Sequence, residues 1–132
     1  MMKIDCLLVQ RVTCVNTMNH VYKYELQKGE IAELRQLTAT VLATVFPDIE
    51  EEGEAAVLEM FSRVTDSTAE LVARWAAVGF THGVLNTDNL SVAGVTIDYG
   101  PFGFLDEYQP GFIPNHSDDM GRYDFQNQVN SA

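Results

Sequence analysis

The sequence predicts an α+β chain that is mainly α, with two long helices, a polar loop and a short β-hairpin in that order. Three observations carry this. Two stretches repeat apolar residues at helical spacing. Each has an identifiable stop. After Gly79 the texture changes to small and polar residues, and then to a short alternating segment with a tight turn. A chain of 132 residues is one domain by length, and 46% apolar composition gives it material for a core.

The first helix is expected from about Glu30 to Phe46. Ile31, Leu34, Leu37, Val41 and Val45 step by three or four along one face. Glu30 and Glu33 suit the positive end of its dipole. Pro47 disfavours helical geometry at Phe46 and stops it. The acidic run from Asp48 to Glu54 reads as a solvated loop between helices. The second helix is expected from about Glu54 to Val78. Val57, Phe61, Val64, Thr68, Leu71, Trp75 and Val78 predict one continuous buried stripe, with Trp75 in the core. Gly79 then suits the left-handed position that ends a helix.

Beyond Gly79, Phe80 to Asn89 form a polar, Gly-containing loop. Leu90 to Ile97 read as two short strands turning at Ala93-Gly94. That register puts Asn89 roughly opposite Asp98, so Asp88, Asn89 and Asp98 are expected to meet at the hairpin's open end. Two carboxylates and an amide oxygen make a hard-oxygen cation site. Mg²⁺ takes one or two carboxylates and fills its shell with phosphate oxygens and water, which a nucleotide supplies. The ligand spacing of an EF-hand is absent.

Composition narrows the partners. The net charge is −11. Residues 1–28 are weakly basic at +2, whereas residues 29–132 stand at −13, with a composition break near Lys28–Gly29. The acidic balance argues against nucleic acid and anionic membranes as partners. No apolar run reaches the ~20 residues that span a bilayer, and the first residues lack the pattern of a signal or transit peptide. Val12, Val15, Val21, Tyr22 and Tyr24 offer short-strand material. Cys6 and Cys14 read as ordinary thiols, since two cysteines at this spacing make neither a disulfide scaffold nor a zinc motif.

Protein kinases carry His-x-Asp-x-x-x-x-Asn and then Asp-Phe-Gly. Here His82 and Asn89 keep that spacing, and Asp98-Tyr99-Gly100 stands in place of Asp-Phe-Gly. The kinase catalytic aspartate is replaced by Val84, which cannot take a proton. A carboxylate sits instead at Asp88, beside Asn89. The arrangement suits Mg–nucleotide binding and not the ordinary kinase step. His82 is expected to hold the loop by packing and hydrogen bonds. His116, Asp118 and Asp119 read as a solvated turn. Phe102, Phe104, Tyr108, Phe112 and Tyr123 read as packing. For Arg122, a phosphate contact and an ion pair stand equal.

These residues resemble the selenoprotein O family of kinase-like protein adenylyltransferases. The resemblance rests on Leu71-Val72-Ala73-Arg74-Trp75, on Val78 through Asn89 with its Asn-Thr-Asp-Asn, and on Thr96 through Asp106 with its Asp-Tyr-Gly-Pro-Phe-Gly. It continues through Tyr108 to Phe112, Asn115 to Asp118 and Gly121 to Tyr123. It implies a partial protein-kinase-like C-lobe over residues 29–128, between a leader (1–28) that does not resemble the family and a tail (129–132). It also implies transfer of AMP from ATP to Ser, Thr or Tyr hydroxyls of proteins, with ATP inverted relative to kinases. Carried over by position, Asp88 is the proton acceptor, Asn89 and Asp98 hold Mg²⁺ or Mn²⁺, and Asp98 also meets the nucleotide. Placement is mitochondrial for a eukaryotic member and cytoplasmic for a bacterial one.

The family's Gly-rich phosphate loop, its phosphate-pairing lysine and its C-terminal redox cysteine or selenocysteine find no counterpart. The chain is therefore expected to be a central piece of a longer protein. The alternative expectation is a catalytically inactive fragment that binds nucleotide or protein weakly.

Overall fold

The computed structural model describes residues 31–128, which are α+β and mainly helical. The strand material from Val12 to Tyr24, Cys6, Cys14, the expected helix start at Glu30 and residues 129–132 lie outside the described residues. Helix α1 spans Ile31–Val45 and helix α2 spans Gly53–Ala77. Strand β1 is Phe80–Thr81 and β2 is Gly103–Phe104. The strands pair antiparallel, with Phe80 opposite Phe104 and Thr81 opposite Gly103. Among the described residues no helix is long and apolar enough to cross a membrane.

The chain forms two compact units. The first takes residues 31–66 with Ser91–Ala93; the second takes Ser67–Leu90 with residues 94–128. In the first unit, α1 buries Leu34 and Val41, while the first part of α2 buries Ala56. Arg63 bonds Glu59 one turn back and reaches Asp48 in the interhelical loop. The acidic run is thus partly tied down at its start.

In the second unit, α2 presents Thr68, Val72 and Trp75, which are buried. Val72, Trp75, Phe80 and Leu85 form the core, with Leu71 against it. Trp75 crosses Phe80 at a ring separation of 5.4 Å, and its Nε1–H donates to Thr96 Oγ1 at 3.1 Å. The indole therefore satisfies its one polar group while its rings fill the core.

Contrary to what its periodicity predicts, the stripe on α2 is not buried along its whole length. Val57 keeps 39% of its surface, Phe61 68% and Val78 64%. Periodicity identifies which face of a helix is apolar, but burial needs a second surface opposite that face. The second unit supplies one through Phe80, Leu85 and the turn around Gly94. For Val57 and Phe61 the described residues supply too little.

The hairpin at Ala93-Gly94 does not form either. Residues 90–98 are irregular, and the two-stranded sheet joins residues on either side of them. Ser91 Oγ accepts the Ala93 N–H at 3.2 Å and so bends the chain locally. Gly94 lies so close to α2 that a Cβ on it would stand 2.8 Å from Ser67 Cβ. This segment turns locally at Ser91–Ala93, and Gly94 lies against Ser67, in place of two paired strands.

Helix α2 ends as its sequence requires. Gly79 takes φ +69°, and its N–H donates to Ala76 O at 3.2 Å. The Gly79 carbonyl accepts the Leu105 N–H at 2.8 Å, so the helix end leads straight into the β1–β2 pair. The chain leaving β1 enters the polar loop with its direction fixed on one side by β2.

Candidate functional site

The site residues sit on the loop after β1 and on the segment before Phe102, all within the second unit. His82 opens the loop and is fully buried. Its Nδ1 accepts the Val84 N–H at 3.3 Å, and its Nε2 lies 2.7 Å from Ile97 O. An acceptor at Nδ1 requires the proton at Nε2, so Nε2–H donates to the Ile97 carbonyl and one tautomer is fixed. The ring stands 5.4 Å from Trp75. Burial pushes the His82 pKa below its ordinary 6.5, against the opposing effects of the Ile97 hydrogen bond and the Asp98 charge. His82 is neutral at pH 7 and ties the loop to the residue before Asp98. This is the holding role that its sequence position suggests.

Gly83 follows with φ +82°. A Cβ there would lie 2.8 Å from Pro101 O and 3.1 Å from Pro114 Cγ. Only glycine lets three chain segments meet here, and Asn115 adds an Nδ2–H bond to Gly83 O at 3.1 Å.

Asn86 organises the rest of the loop. Its Oδ1 accepts the N–H groups of Asp88 at 3.1 Å and Asn89 at 3.2 Å. Its backbone N–H donates to Val84 O at 2.9 Å, and its carbonyl accepts the Asn89 N–H at 3.0 Å. These bonds form an Asx turn that sets Asp88 and Asn89 side by side. The Asn89 Nδ2–H donates to Val84 O at 2.8 Å. That bond fixes the amide's orientation and turns Oδ1, the atom a hard cation would take, away from Val84.

Asp88 is half-buried, with its Oδ1 shielded from solvent. Asp98 is exposed and adopts φ +50°, a left-handed conformation that aspartate tolerates better than most residues. It is held in place from behind. Ile97, buried, gives its carbonyl to His82, and Thr96 meets Trp75. The loop therefore connects to both predicted ligands, to Asn89 through Val84 and to Asp98 through His82 and Ile97. Among the described residues no three His, Cys, Asp or Glu side chains group as metal ligands. A donor set of two carboxylates and one amide oxygen leaves most of an octahedral shell to phosphate and water, which suits a metal carried in with a nucleotide.

Other candidates resolve into structure. The Asp118 carboxylate accepts the N–H groups of Arg122 at 3.0 Å and Tyr123 at 2.8 Å, and so caps a turn. Arg122 Nη2 donates to Met120 Sδ at 3.5 Å. The aromatic residues pack less completely than their composition predicts. Phe102 stacks on Phe80 and Phe104 meets it edge-on, yet both remain about half exposed. Tyr108 meets Phe125 and stays largely exposed.

Asn86, Asn115 and Gln128 have roles that the sequence reading misses. The Asn-x-Asp-Asn order is itself an Asx-turn signal for Asn86. Asn115 and Gln128 act on residues far away in sequence and carry no local signal.

The family model for protein adenylyltransferase SelO matches residues 17–131. The match begins ahead of the composition break near Lys28–Gly29. The protein nucleotidyltransferase YdiU of Thioalkalivibrio sulfidiphilus is 51% identical over 111 residues, which cover 84% of this chain and 22% of that protein. The protein of the same name from Aliivibrio salmonicida is 54% identical over 99 residues, 74% of this chain and 20% of the relative. That of Pseudomonas fluorescens is 51% identical over 108 residues, 82% of this chain and 22% of the relative. The chain spans about a fifth of the length of the curated relatives it matches.

Proposed function

The chain belongs to the protein adenylyltransferase SelO family, and from that premise we propose that it carries the metal- and nucleotide-binding part of a kinase-like lobe that transfers AMP from ATP to protein hydroxyls. The observation that carries this reading is the locked Asn86–Asn89 turn. It presents a half-buried carboxylate next to an amide whose Nδ2–H is held by the Val84 carbonyl.

In the proposed reaction, a Ser, Thr or Tyr hydroxyl oxygen attacks the α-phosphorus of ATP. A new P–O bond forms there, the bond to the β-phosphate oxygen breaks, and pyrophosphate leaves. Asp88 accepts the hydroxyl proton. Asn89 and Asp98 hold Mg²⁺ or Mn²⁺, and Asp98 also borders the nucleotide. When bound, that cation neutralises charge developing on the phosphates. Val84 cannot take a proton, which is why the base role falls to Asp88 and not to the kinase position.

The test uses the intact protein and ATP labelled at the α- or the γ-phosphate. Label from the α-phosphate is expected on protein, and Asp88→Ala should lower that transfer by about 10²–10⁴-fold. Retained transfer in a folded Asp88→Ala protein, or label arriving only from the γ-phosphate, would refute the assignment. The isolated 132 residues are expected to bind Mg–ATP weakly and to transfer nothing, since the relatives that carry the name are about four times as long.

A further inference from the structure

Strand β1 has two edges, and the structure treats them differently. Successive residues of a strand point their backbone groups to opposite sides. Gly79 and Thr81 face β2: Gly79 O accepts from Leu105, and Thr81 is paired with Gly103. Phe80 and His82 face the other way, where no strand lies among the described residues. One side chain fills that edge. Gln128 Nε2–H donates to Phe80 O at 3.0 Å, and Gln128 Oε1 accepts the His82 N–H at 3.2 Å. A primary amide has the same donor–acceptor pair as a peptide group, so a single glutamine stands in for a third strand. Both atoms are used, which fixes the amide's orientation.

Gln128 is 0% exposed, and its own backbone is secured. Its N–H donates to Asp124 O at 3.0 Å, and the Asn127 N–H donates to Asp124 Oδ1 at 2.6 Å. Just before them, Phe125 and Gln126 donate to Phe112 O and Pro110 O, both at 3.0 Å. The amide thus comes from a segment anchored independently of the loop.

What it grips matters more than how it is held. His82 is the branch point of the site. From it, one arm runs through Nε2 to Ile97 and Asp98, and the other through Nδ1 to Val84 and then to the Asn89 amide. We propose that Gln128 is a positioning residue of the nucleotide site, which sets Asn89 and Asp98 at their cation-binding geometry by holding the His82 backbone against the open edge of β1. The proposal rests on the metal–nucleotide reading above and names a residue that acts on it from outside the loop.

The test compares wild type, Gln128→Met and Gln128→Asn in the intact protein, with Gln126→Ala as control. Met keeps the volume and removes both hydrogen bonds. Asn keeps the amide but is one methylene too short to span both partners. Binding of Mg²⁺–ATP is read by calorimetry, and the His82 ring nitrogens are read by ¹⁵N NMR without nucleotide. Outer residues that orient metal ligands typically change affinity by about 10–100-fold, and a loss in that range is expected for both variants. The ring nitrogens should move from a single Nε2–H tautomer toward a mixture. Gln126→Ala, an exposed position, should leave both readings unchanged. Asn serves where Met prevents folding. A folded variant with wild-type Mg²⁺–ATP affinity, or with unaltered His82 nitrogen shifts, would overturn the role of Gln128. A wild type that binds no Mg²⁺–ATP would instead overturn the nucleotide site itself, and the proposal with it.

Discussion

Acidification below about pH 6.5 should loosen this chain through His82. The ring is fully buried, and burial pushes its pKa below the ordinary 6.5. In the unfolded chain the same histidine protonates near its ordinary value. Below that pH the unfolded state binds more protons than the folded one, so stability falls as pH falls. The contribution is complete above pH 6.5 and is lost progressively down to the folded-state pKa. Within that window the slope for one proton is about 1.4 kcal/mol per pH unit.

His82→Phe separates this effect from the rest. Phe retains a ring beside Trp75 but leaves the Val84 N–H and the Ile97 carbonyl without their partner. Each stranded backbone group costs about 1–3 kcal/mol. The variant should therefore be weaker by about 2–6 kcal/mol at pH 7.5, and its stability should change less between pH 7 and 5. Trp75 is the only tryptophan and lies 5.4 Å from the His82 ring, so urea unfolding followed by its fluorescence reports on this contact directly. Parallel pH slopes for wild type and His82→Phe would refute the assignment of His82 as the buried neutral group.

Three further substitutions test the loop. Asn86→Ala removes an acceptor shared by two N–H groups and should destabilise by about 1–3 kcal/mol, with Mg²⁺–ATP affinity in the intact protein falling alongside; an unchanged melting temperature would contradict the Asx turn. Gly83→Ala places a methyl 2.8 Å from Pro101 O at φ +82°, and a left-handed non-glycine residue alone costs about 1–2 kcal/mol, so the melting temperature should drop clearly. Thr81→Val runs the other way. The Thr81 hydroxyl is buried with no hydrogen-bond partner among the described residues, and replacing it by a methyl of similar shape should be neutral or stabilising by about 1 kcal/mol; a lower melting temperature would show that the hydroxyl has a use.

The parts of this fold that were legible in the sequence are those set by neighbours along the chain. The helix bounds follow from spacing, Pro47 and Gly79: the end of the first helix at Val45 and both ends of Gly53–Ala77 lie within a residue of expectation. His82 was legible as a structural residue because its place before a polar loop has one obvious use. The strand partner of β1 was not legible. It comes from residues 103–104, across a stretch whose alternation favours a local hairpin. What decides between the two is the contact of Gly94 with Ser67, a property of the assembled helix and not of residues 90–97. The exposed faces of Val57 and Phe61 have the same cause, since a stripe cannot say whether a partner surface exists.

The chemistry of the loop explains why its fixings are amides. The site requires negative charge at Asp88 and Asp98 if it is to attract a cation. A lysine or arginine holding the loop would neutralise that charge and compete for the same oxygens. Between Phe80 and Asp98 there is neither. Asn86, Asn89, Asn115 and Gln128 instead supply neutral donors and acceptors to the backbone, and His82 is kept uncharged by burial. A short loop with little regular structure normally leaves backbone groups to water. Here side-chain amides take that place from both sides, two within the loop and two from residues beyond Pro114. The fixings named here bring no positive charge to the loop, which suits the proposed cation role of Asp88 and Asp98.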